Sequence, residues 1–146
     1  DGGTFTLTAR PDRIDLLADG RVHVYDYKSG SLPSAKQQRL FDKQLLLESA
    51  MAERGAFAAL GPRIVEGATY VQLGGEGKEA RVSIDAAILA ETWTSLLRLV
   101  AAFDRRATGY TARRAVFGAR ISGDYDHLAR FGEWDMDTPS APEDVG

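Results

Sequence analysis

The chain contains no cysteine and only two histidines among its 146 residues. The lack of cysteine excludes disulfide bonds and any zinc or iron–sulfur centre that thiolates would hold. No apolar run approaches the roughly 20 residues that a membrane-spanning helix needs, and no secretory signal is visible. A phosphate-binding loop of the GxxxxGK[ST] kind is also absent from the sequence. We therefore expect a cytoplasmic protein that does not associate with membranes.

The charge is small overall but unevenly distributed along the chain. The formal net charge is −3, which is not typical of a free-standing nucleic-acid-binding domain. The stretch from residue 98 to residue 120 nevertheless holds six arginines against one acid, whereas the stretch from Glu133 onward holds five acids and no base. A hydrophobic fraction of 44% is that of an ordinary globular protein. We predict one domain over residues 1–134 and a disordered acidic tail over residues 135–146.

A β-hairpin is the strongest local signal. Two β-prone segments flank Asp19-Gly20, and an Asp-Gly pair in this position favours a two-residue turn. That turn would place Asp15 opposite Val24, and alternation would then place Asp15, Asp26 and Lys28 on one face of the sheet. The two carboxylates would be diagonal neighbours, about 7–8 Å apart at the backbone. The hairpin therefore predicts a site where two acids can hold one divalent cation.

The rest of the chain alternates between predicted strands and helices. Strands are predicted over residues 4–10, 12–18, 22–28, 68–73 and 81–84, and helices over residues 35–54 and 86–107. Ser34 and Asp85 are suitable N-caps for the two helices, and Gly55 suits the end of the first. Gln44 falls within a stripe of mainly apolar residues that would pack on the sheet. This order predicts an α/β fold in which a mixed sheet is flanked by helices.

These motifs resemble those of a known enzyme family. Asp15 followed by Asp26-Tyr27-Lys28 resembles the D…(D/E)xK signature of the PD-(D/E)xK nuclease superfamily. The fuller pattern covers residues 10–48 and resembles the RecB-like branch, in particular the C-terminal nuclease domain of AddB-type helicase–nuclease subunits. It consists of Arg10-Pro11-Asp12-Arg13-Ile14-Asp15, then Val24 to Gly30, then Gln44-Leu45.

The resemblance implies a restriction-endonuclease-like core with the element order αβββαβ. The first helix of that order would lie upstream of Asp1. We therefore expect the chain to be a piece of a longer protein and to be incomplete as a nuclease by itself. Many relatives hold an iron–sulfur cluster through cysteines. Because this chain has no cysteine, the resemblance implies a branch of the family that has no iron–sulfur cluster.

The resemblance also implies a chemistry and the residues that carry it. The domain would be a Mg²⁺-dependent DNA nuclease of the exonuclease type, with Mn²⁺ as an alternative ion, acting in double-strand break repair and recombination. Asp15, Asp26 and the backbone carbonyl of Tyr27 would hold the metal, because Mg²⁺ prefers oxygen ligands. Lys28 would orient the attacking water or stabilise the charge of the phosphorane, and Gln44 would contact the substrate or the water.

The expected partners are DNA and a helicase. The resemblance implies DNA single strands that a helicase motor delivers, and a partner subunit of the AddA kind. Contacts with DNA phosphates are expected from Arg10, Arg113, Arg114 and Arg120, because phosphate neutralisation by arginine dominates binding to nucleic acids. The alternative for the run from residue 98 to residue 120 is a solvated helix face, and Arg10 could instead join the ionic network of Asp12 and Arg13.

Three residues permit a structural interpretation, and a fourth departs from the family pattern. Asp12 and Arg13 fit a structural salt bridge better than a catalytic pair. His23 is predicted to lie on the face opposite the carboxylates and to serve in packing. Glu48 stands four residues after Gln44, where the family usually has a tyrosine, which leaves the role of that tyrosine open.

The whole domain also has an alternative interpretation. A catalytically inactive nuclease fold could bind DNA or act as a scaffold in a repair complex. Inactive members of the family typically lose an acid or the lysine. The presence of Asp15, Asp26 and Lys28 therefore favours an active enzyme.

Overall fold

The computed structural model describes residues 3–105 and 107–109. Within them the elements are β1 (Arg13–Leu16), β2 (Val22–Lys28), α1 (Ala35–Leu40), α2 (Gln44–Glu53), β3 (Val65–Gln72), β4 (Glu79–Val82) and α3 (Ala86–Phe103). The four strands form one sheet in the order β1-β2-β3-β4. β2 and β3 run parallel, whereas both outer pairs are antiparallel. The predicted α/β fold with a mixed sheet and flanking helices is confirmed.

The chain divides into two compact units. One comprises Phe5–Arg98 and contains the whole sheet, and the other comprises Asp1–Thr4 and Leu99–Gly146. In the second unit the Thr108 hydroxyl donates to the Ala102 carbonyl at 2.6 Å, beside the end of α3. The predicted domain boundary at residue 134 and the predicted acidic tail lie outside the described residues.

The parallel strands β2 and β3 are joined by a crossover that contains α1 and α2, as parallel pairing requires. Leu45 and Ala50 of α2 are fully buried together with Val24 of β2 and Ala68 of β3. The wider core cluster also includes Val22, Leu46, Ala52, Val65, Tyr70, Val82 and Leu89. α2 is therefore fixed against the sheet, and polar residues at its start are held beside the end of β2.

The helix predicted over residues 35–54 is in fact two helices, α1 and α2. α1 begins at a capping box in which Ser34 and Gln37 bond each other reciprocally. It ends where the Asp42 N–H bonds the Gln37 carbonyl at 2.9 Å. The Asp42 carboxylate then accepts from the Tyr70 hydroxyl at 2.6 Å. The prediction of one continuous helix was wrong because a tertiary contact with β3 competes with helix propensity at the break.

The register of the β1–β2 hairpin differs by one residue from the prediction. The connection is a three-residue loop, Ala18-Asp19-Gly20, in which Leu17 N–H bonds Arg21 O at 2.8 Å and Gly20 has a φ of +84°. The Asp19 carboxylate stabilises this loop by accepting from the Arg21 N–H at 3.0 Å. A type I turn followed by a left-handed glycine is a common hairpin alternative to the two-residue turn.

This difference changes the face on which Asp15 lies. Asp15 pairs with His23 instead of Val24. A slip of one residue moves every side chain of a strand to the other face, so Asp15 emerges opposite to Asp26. The prediction that both carboxylates share a face was therefore wrong.

Smaller differences concern the ends of elements. Residues 4–10 form no strand, and β1 begins only at Arg13, after Pro11. The predicted strands over residues 68–73 and 81–84 are β3 and β4, which both begin earlier. Asp85 caps α3 as predicted, by accepting from the Ile88 N–H at 2.7 Å.

Among the described residues, α3 is the one helix that is long and apolar enough to cross a membrane. It has 18 residues and a mean hydropathy of 1.4, and 6% of it is buried. Glu91 and Arg98 on this helix approach each other to 3.5 Å, and Arg54, the residue after α2, lies 4.4 Å from the centre of the Trp93 ring. One such helix is weak support for a membrane span, because length and composition are the only criteria it meets.

Candidate functional site

Asp26 occupies the centre of the candidate site. Its side chain points from β2 to the α2 side of the sheet and is 3% exposed. Oδ1 accepts from Gln44 Nε2 at 2.7 Å. Oδ2 lies 2.8 Å from Lys28 Nζ as an ion pair, and it has no other partner among the described residues. One oxygen of Asp26 is therefore held by an amide, and the other faces only the Lys28 ammonium.

Lys28 is the cation of the site. Burial lowers the pKa of the Lys28 ammonium, but the contact and charge of Asp26, with the charges of Asp42 and Asp12, outweigh burial and raise the pKa above its ordinary value. The ammonium also lies 5.4 Å from the centre of the Tyr70 ring. Lys28 is thus a fixed positive charge at neutral pH, able to donate hydrogen bonds but not to act as a base.

Gln44, the first residue of α2, connects the charged groups. Its Nε2 donates to Asp26 and, at 3.3 Å, to Glu48 Oε1. Its Oε1 accepts from Lys28 Nζ at 3.4 Å. The structure therefore brings Gln44, Asp26 and Lys28 together, as the sequence predicts.

Asp12 joins this cluster although the sequence favours a structural salt bridge for it. Its Oδ2 accepts from the backbone N–H of Tyr27 at 2.8 Å. Its charge raises the pKa values of both Lys28 and Glu48, which places the carboxylate on the Asp26 side of the sheet. Arg13 pairs with Asp15 and not with Asp12, so the predicted Asp12–Arg13 salt bridge is wrong. A three-residue loop in the predicted hairpin would have identified Asp12 as a site residue. Continuing that register places Asp12 opposite Asp26.

Tyr27 offers its backbone carbonyl at the same place. Continuing the β1–β2 register places Pro11 opposite Tyr27. Proline has no N–H, so it cannot donate to the Tyr27 carbonyl as an ordinary ladder residue would. This geometry agrees with the predicted role of the carbonyl as an oxygen ligand, without testing it.

Asp15 lies apart from the cluster. The Arg13 guanidinium holds it through two contacts, at 2.7 Å to Oδ1 and 2.6 Å to Oδ2. The bond with Arg13 lowers the pKa of the Asp15 carboxyl. Arg13 also donates to the Tyr27 hydroxyl at 3.3 Å. Asp15 is therefore a partner of Arg13 on the opposite face, and its predicted role as a metal ligand is withdrawn.

Glu48 is the residue that sequence reasoning left unassigned. It is 4% exposed, and its Oε2 has no hydrogen-bond partner in the described part of the chain. Burial raises the pKa of its carboxyl, and the charges of Asp26 and Asp12 act in the same direction. The sequence indicated Glu48 only by having a glutamate where the family usually has a tyrosine. Its place in the site became clear only from the fold.

The opposite face of the sheet carries a separate polar network. His23 is 7% exposed; Nδ1 lies 2.9 Å from Glu66 and Nε2 lies 2.9 Å from the Thr69 hydroxyl. Arg81 donates to the second Glu66 oxygen at 2.6 Å. A Cβ on Gly67 would lie 2.9 Å from the Arg81 guanidinium and 3.0 Å from the His23 ring, so a larger residue there would displace both side chains. His23 is a packing residue, as predicted.

Of the four arginines predicted to contact DNA, the described residues include one. Arg10 is exposed and stands two residues before Asp12. Arg113, Arg114 and Arg120 lie outside the described residues. The expectation of phosphate contacts there stays a prediction.

The described residues contain no group of three or more His, Cys, Asp or Glu side chains that could hold a metal ion in their present positions. The donors nevertheless fit a hard cation. Glu48 Oε2 is a buried carboxylate oxygen without a hydrogen-bond donor, and Asp26 Oδ2 is one that faces only the Lys28 ammonium. Buried oxygens of this kind call for an ion or water. Asp12 and the Tyr27 carbonyl add further oxygens, the ligand type that Mg²⁺ prefers.

Comparison with known proteins agrees with this chemistry. The sequence pattern described as the PD-(D/E)XK nuclease superfamily matches residues 1–121. No curated protein and no solved structure matches the chain.

Proposed function

Because the chain belongs to the PD-(D/E)XK nuclease superfamily, whose members hydrolyse phosphodiesters, we propose that it is a Mg²⁺-dependent DNA exonuclease domain of the RecB/AddB type. The observation that carries the proposal is the state of Asp26. A carboxylate buried to 3% exposure, with one oxygen held by Gln44 and the other facing only the Lys28 ammonium, is costly to maintain. A site that binds a cation and a phosphate explains this cost.

Asp26, Asp12 and the Tyr27 carbonyl would hold the ion. Asp26 would use Oδ2, since Gln44 holds Oδ1. A bound Mg²⁺ would supply a water of lowered pKa and charge stabilisation for the phosphate. Gln44 keeps the Asp26 carboxylate in one orientation, which is the usual task of a hydrogen-bond donor behind a metal ligand.

Lys28 would stabilise the transition state. Its raised pKa keeps the ammonium protonated, so it would donate to a phosphate oxygen or to the attacking water and would not remove a proton. The water oxygen would form a bond to phosphorus and release a proton to solvent, while the bond to the leaving sugar oxygen breaks. One product end then carries a phosphate monoester, and the other carries a hydroxyl after protonation by solvent.

The finer features of the proposal follow from the motif pattern. Asp26-Tyr27-Lys28-Ser29-Gly30 and a following glutamine resemble the RecB-like branch, which supports single-stranded DNA as substrate, a helicase as the source of that strand, an AddA-like partner subunit, and a role in double-strand break repair. In this protein Gln44 contacts both Asp26 and Lys28, which supports a place for that glutamine in the site.

The test is cleavage of labelled DNA by protein that carries this domain. We expect Mg²⁺-dependent, EDTA-sensitive shortening of linear single strands and no cutting of circular ones, as an exonuclease requires a free end. Asp26→Asn and Lys28→Ala should each abolish cleavage. Cutting of circles would contradict the exonuclease class, and wild-type rates in both variants would contradict the site.

A separate result would favour the alternative function. A protein that binds single-stranded DNA but does not cleave it, with Mg²⁺ or Mn²⁺ and with its partner subunit present, would be an inactive nuclease fold. Asp26→Asn would then leave DNA binding unchanged.

A further inference from the structure

The described residues contain three buried side-chain polar atoms without a hydrogen-bond partner: Asp26 Oδ2, Glu48 Oε2 and Ser49 Oγ. Most buried polar atoms in native proteins are paired, and those that are not call for an explanation such as an ion or a water. Two of the three atoms are carboxylate oxygens, and the other oxygen of each of these carboxylates accepts from Gln44 Nε2. Asp26 has an explanation in the proposed function, whereas Glu48 does not.

Glu48 is not explained as an ordinary helix residue. It lies in the middle of α2 with an exposure of 4%, and a buried carboxyl is among the least favourable groups for a core. Its one described hydrogen bond is a contact of 3.3 Å from Gln44 Nε2 to Oε1. That contact is longer than a typical N–H···O bond and leaves Oε2 unsatisfied.

The position of Gln44 shows where Glu48 is directed. Its Nε2 donates to Asp26 Oδ1 and to Glu48 Oε1, so a single amide group joins the two carboxyl groups. The charge of Asp26 also acts on the Glu48 carboxyl. Glu48 is therefore turned toward Asp26, from the α2 side of the candidate site.

The charged side chains around Gln44 carry more negative than positive charge when all of them are ionised. Asp12, Asp26 and Glu48 influence one another or Lys28, and Lys28 is the cation in contact with Asp26. When ionised, the three carboxylates and the one ammonium leave two negative charges. A divalent cation would neutralise them.

We propose that Glu48 is an additional carboxylate ligand of the divalent cation, supplied by α2 and used together with Asp26 and Asp12. The proposal rests on the proposed function, because it concerns the same site. Before the ion binds, the Gln44 amide keeps the Asp26 and Glu48 carboxyl groups beside each other. Mg²⁺ and Mn²⁺ are the ions that fit, since the donors are oxygens.

The test is Mn²⁺ binding to protein that carries this domain, measured by electron paramagnetic resonance of free Mn²⁺ without DNA. Glu48→Gln keeps the size of the side chain and an oxygen for Gln44 but removes the charge. We expect it to weaken Mn²⁺ affinity by about tenfold or more. Glu53→Gln, on the last residue of α2, is the matched control and should bind as the wild type does. Thermal unfolding in EDTA checks that both variants fold.

The outcomes separate this inference from the proposed function. If Glu48→Gln binds Mn²⁺ as tightly as the wild type, while Asp26→Asn loses binding, Glu48 is not a ligand and the nuclease proposal stands. If Glu48→Gln and Glu53→Gln weaken binding equally, the effect is one of general charge and the inference is also overturned. If the wild-type protein neither binds Mn²⁺ nor cleaves DNA, the proposed function itself is contradicted, and the role of Glu48 is contradicted with it.

Discussion

The backbone N–H of Tyr27 donates to Asp12 Oδ2 at 2.8 Å, although Asp12 precedes the first residue of β1. The ladder would place Pro11 opposite Tyr27, and the Asp12 carboxylate accepts the N–H at this point. This bond fixes the carboxylate against the strand that carries Asp26. Asp12, and not Asp15, is therefore the acid of the first strand segment that reaches the candidate site.

The pair Asp12→Asn and Asp15→Asn provides a direct test. Asparagine in place of Asp12 can still accept from Tyr27, so the hairpin should remain, but a charged oxygen ligand is lost. We expect Asp12→Asn to weaken Mn²⁺ affinity by about 10- to 100-fold and to reduce DNA cleavage accordingly. Asp15→Asn alters only an exposed pair with Arg13 on the other face, so it should retain affinity and activity. The reverse pattern in these two assays would show that the hairpin register is wrong.

The β1–β2 hairpin shows which features the sequence could predict and which it could not. The presence of two strands around Asp19-Gly20 followed from turn chemistry alone. The loop length did not, because an Asp-Gly pair suits both a two-residue turn and a three-residue loop with a left-handed glycine. Since side chains alternate with a period of two, that one residue decided whether Asp12 or Asp15 shares a face with Asp26.

The site was predictable where it depended on local pattern. Asp26 and Lys28 share a face because they are two residues apart on one strand. Gln44 was placed toward the sheet from the spacing of its helix. The role of Glu48 was not accessible, since its burial and its unsatisfied oxygen depend on how α2 packs on β2. The break before α2 was missed for the same reason, as it depends on Tyr70 of another strand.

Glu48 predicts a pH dependence of stability in the metal-free protein. Burial raises the pKa of its carboxyl above the ordinary 4.5, so the folded state keeps a proton that the unfolded state releases. The free energy of unfolding should then fall as pH rises from 4.5 toward the raised pKa. Glu48→Gln removes this titration, so in EDTA its stability relative to wild type should increase between pH 4 and pH 7. Urea unfolding at several pH values measures this, with Glu53→Gln as the control. A Glu48→Gln difference that is the same at every pH would contradict the prediction.

The three-residue loop predicts a glycine requirement at one position. Gly20 has a φ of +84°, whereas Gly30 is not among the glycines with positive φ; a Cβ would meet no atom within 4 Å at either position. Gly20→Ala should therefore lower the free energy of unfolding by about 1–2 kcal/mol, the cost of a left-handed conformation. Gly30→Ala should be neutral or slightly stabilising, because it reduces the entropy of the unfolded chain. Equal effects of the two substitutions on urea unfolding would contradict the loop geometry.

The arginine-rich stretch predicts how DNA binding depends on salt. If Arg113 and Arg114 each neutralise one phosphate, replacing both by glutamine should reduce the slope of log affinity against log salt by about 1.4, at about 0.7 for each single-strand phosphate. The control is Arg21→Gln with Arg63→Gln, which removes the same charge near the start of β2 and β3, where the Val22 N–H bonds the Ile64 carbonyl. Those positions lie at the opposite end of β2 from Asp26, so the slope should be unchanged. Fluorescence anisotropy of labelled single strands over a range of salt concentrations measures both slopes. An equal reduction in the two double variants would mean that net charge alone determines affinity, and that residues 113 and 114 make no specific phosphate contact.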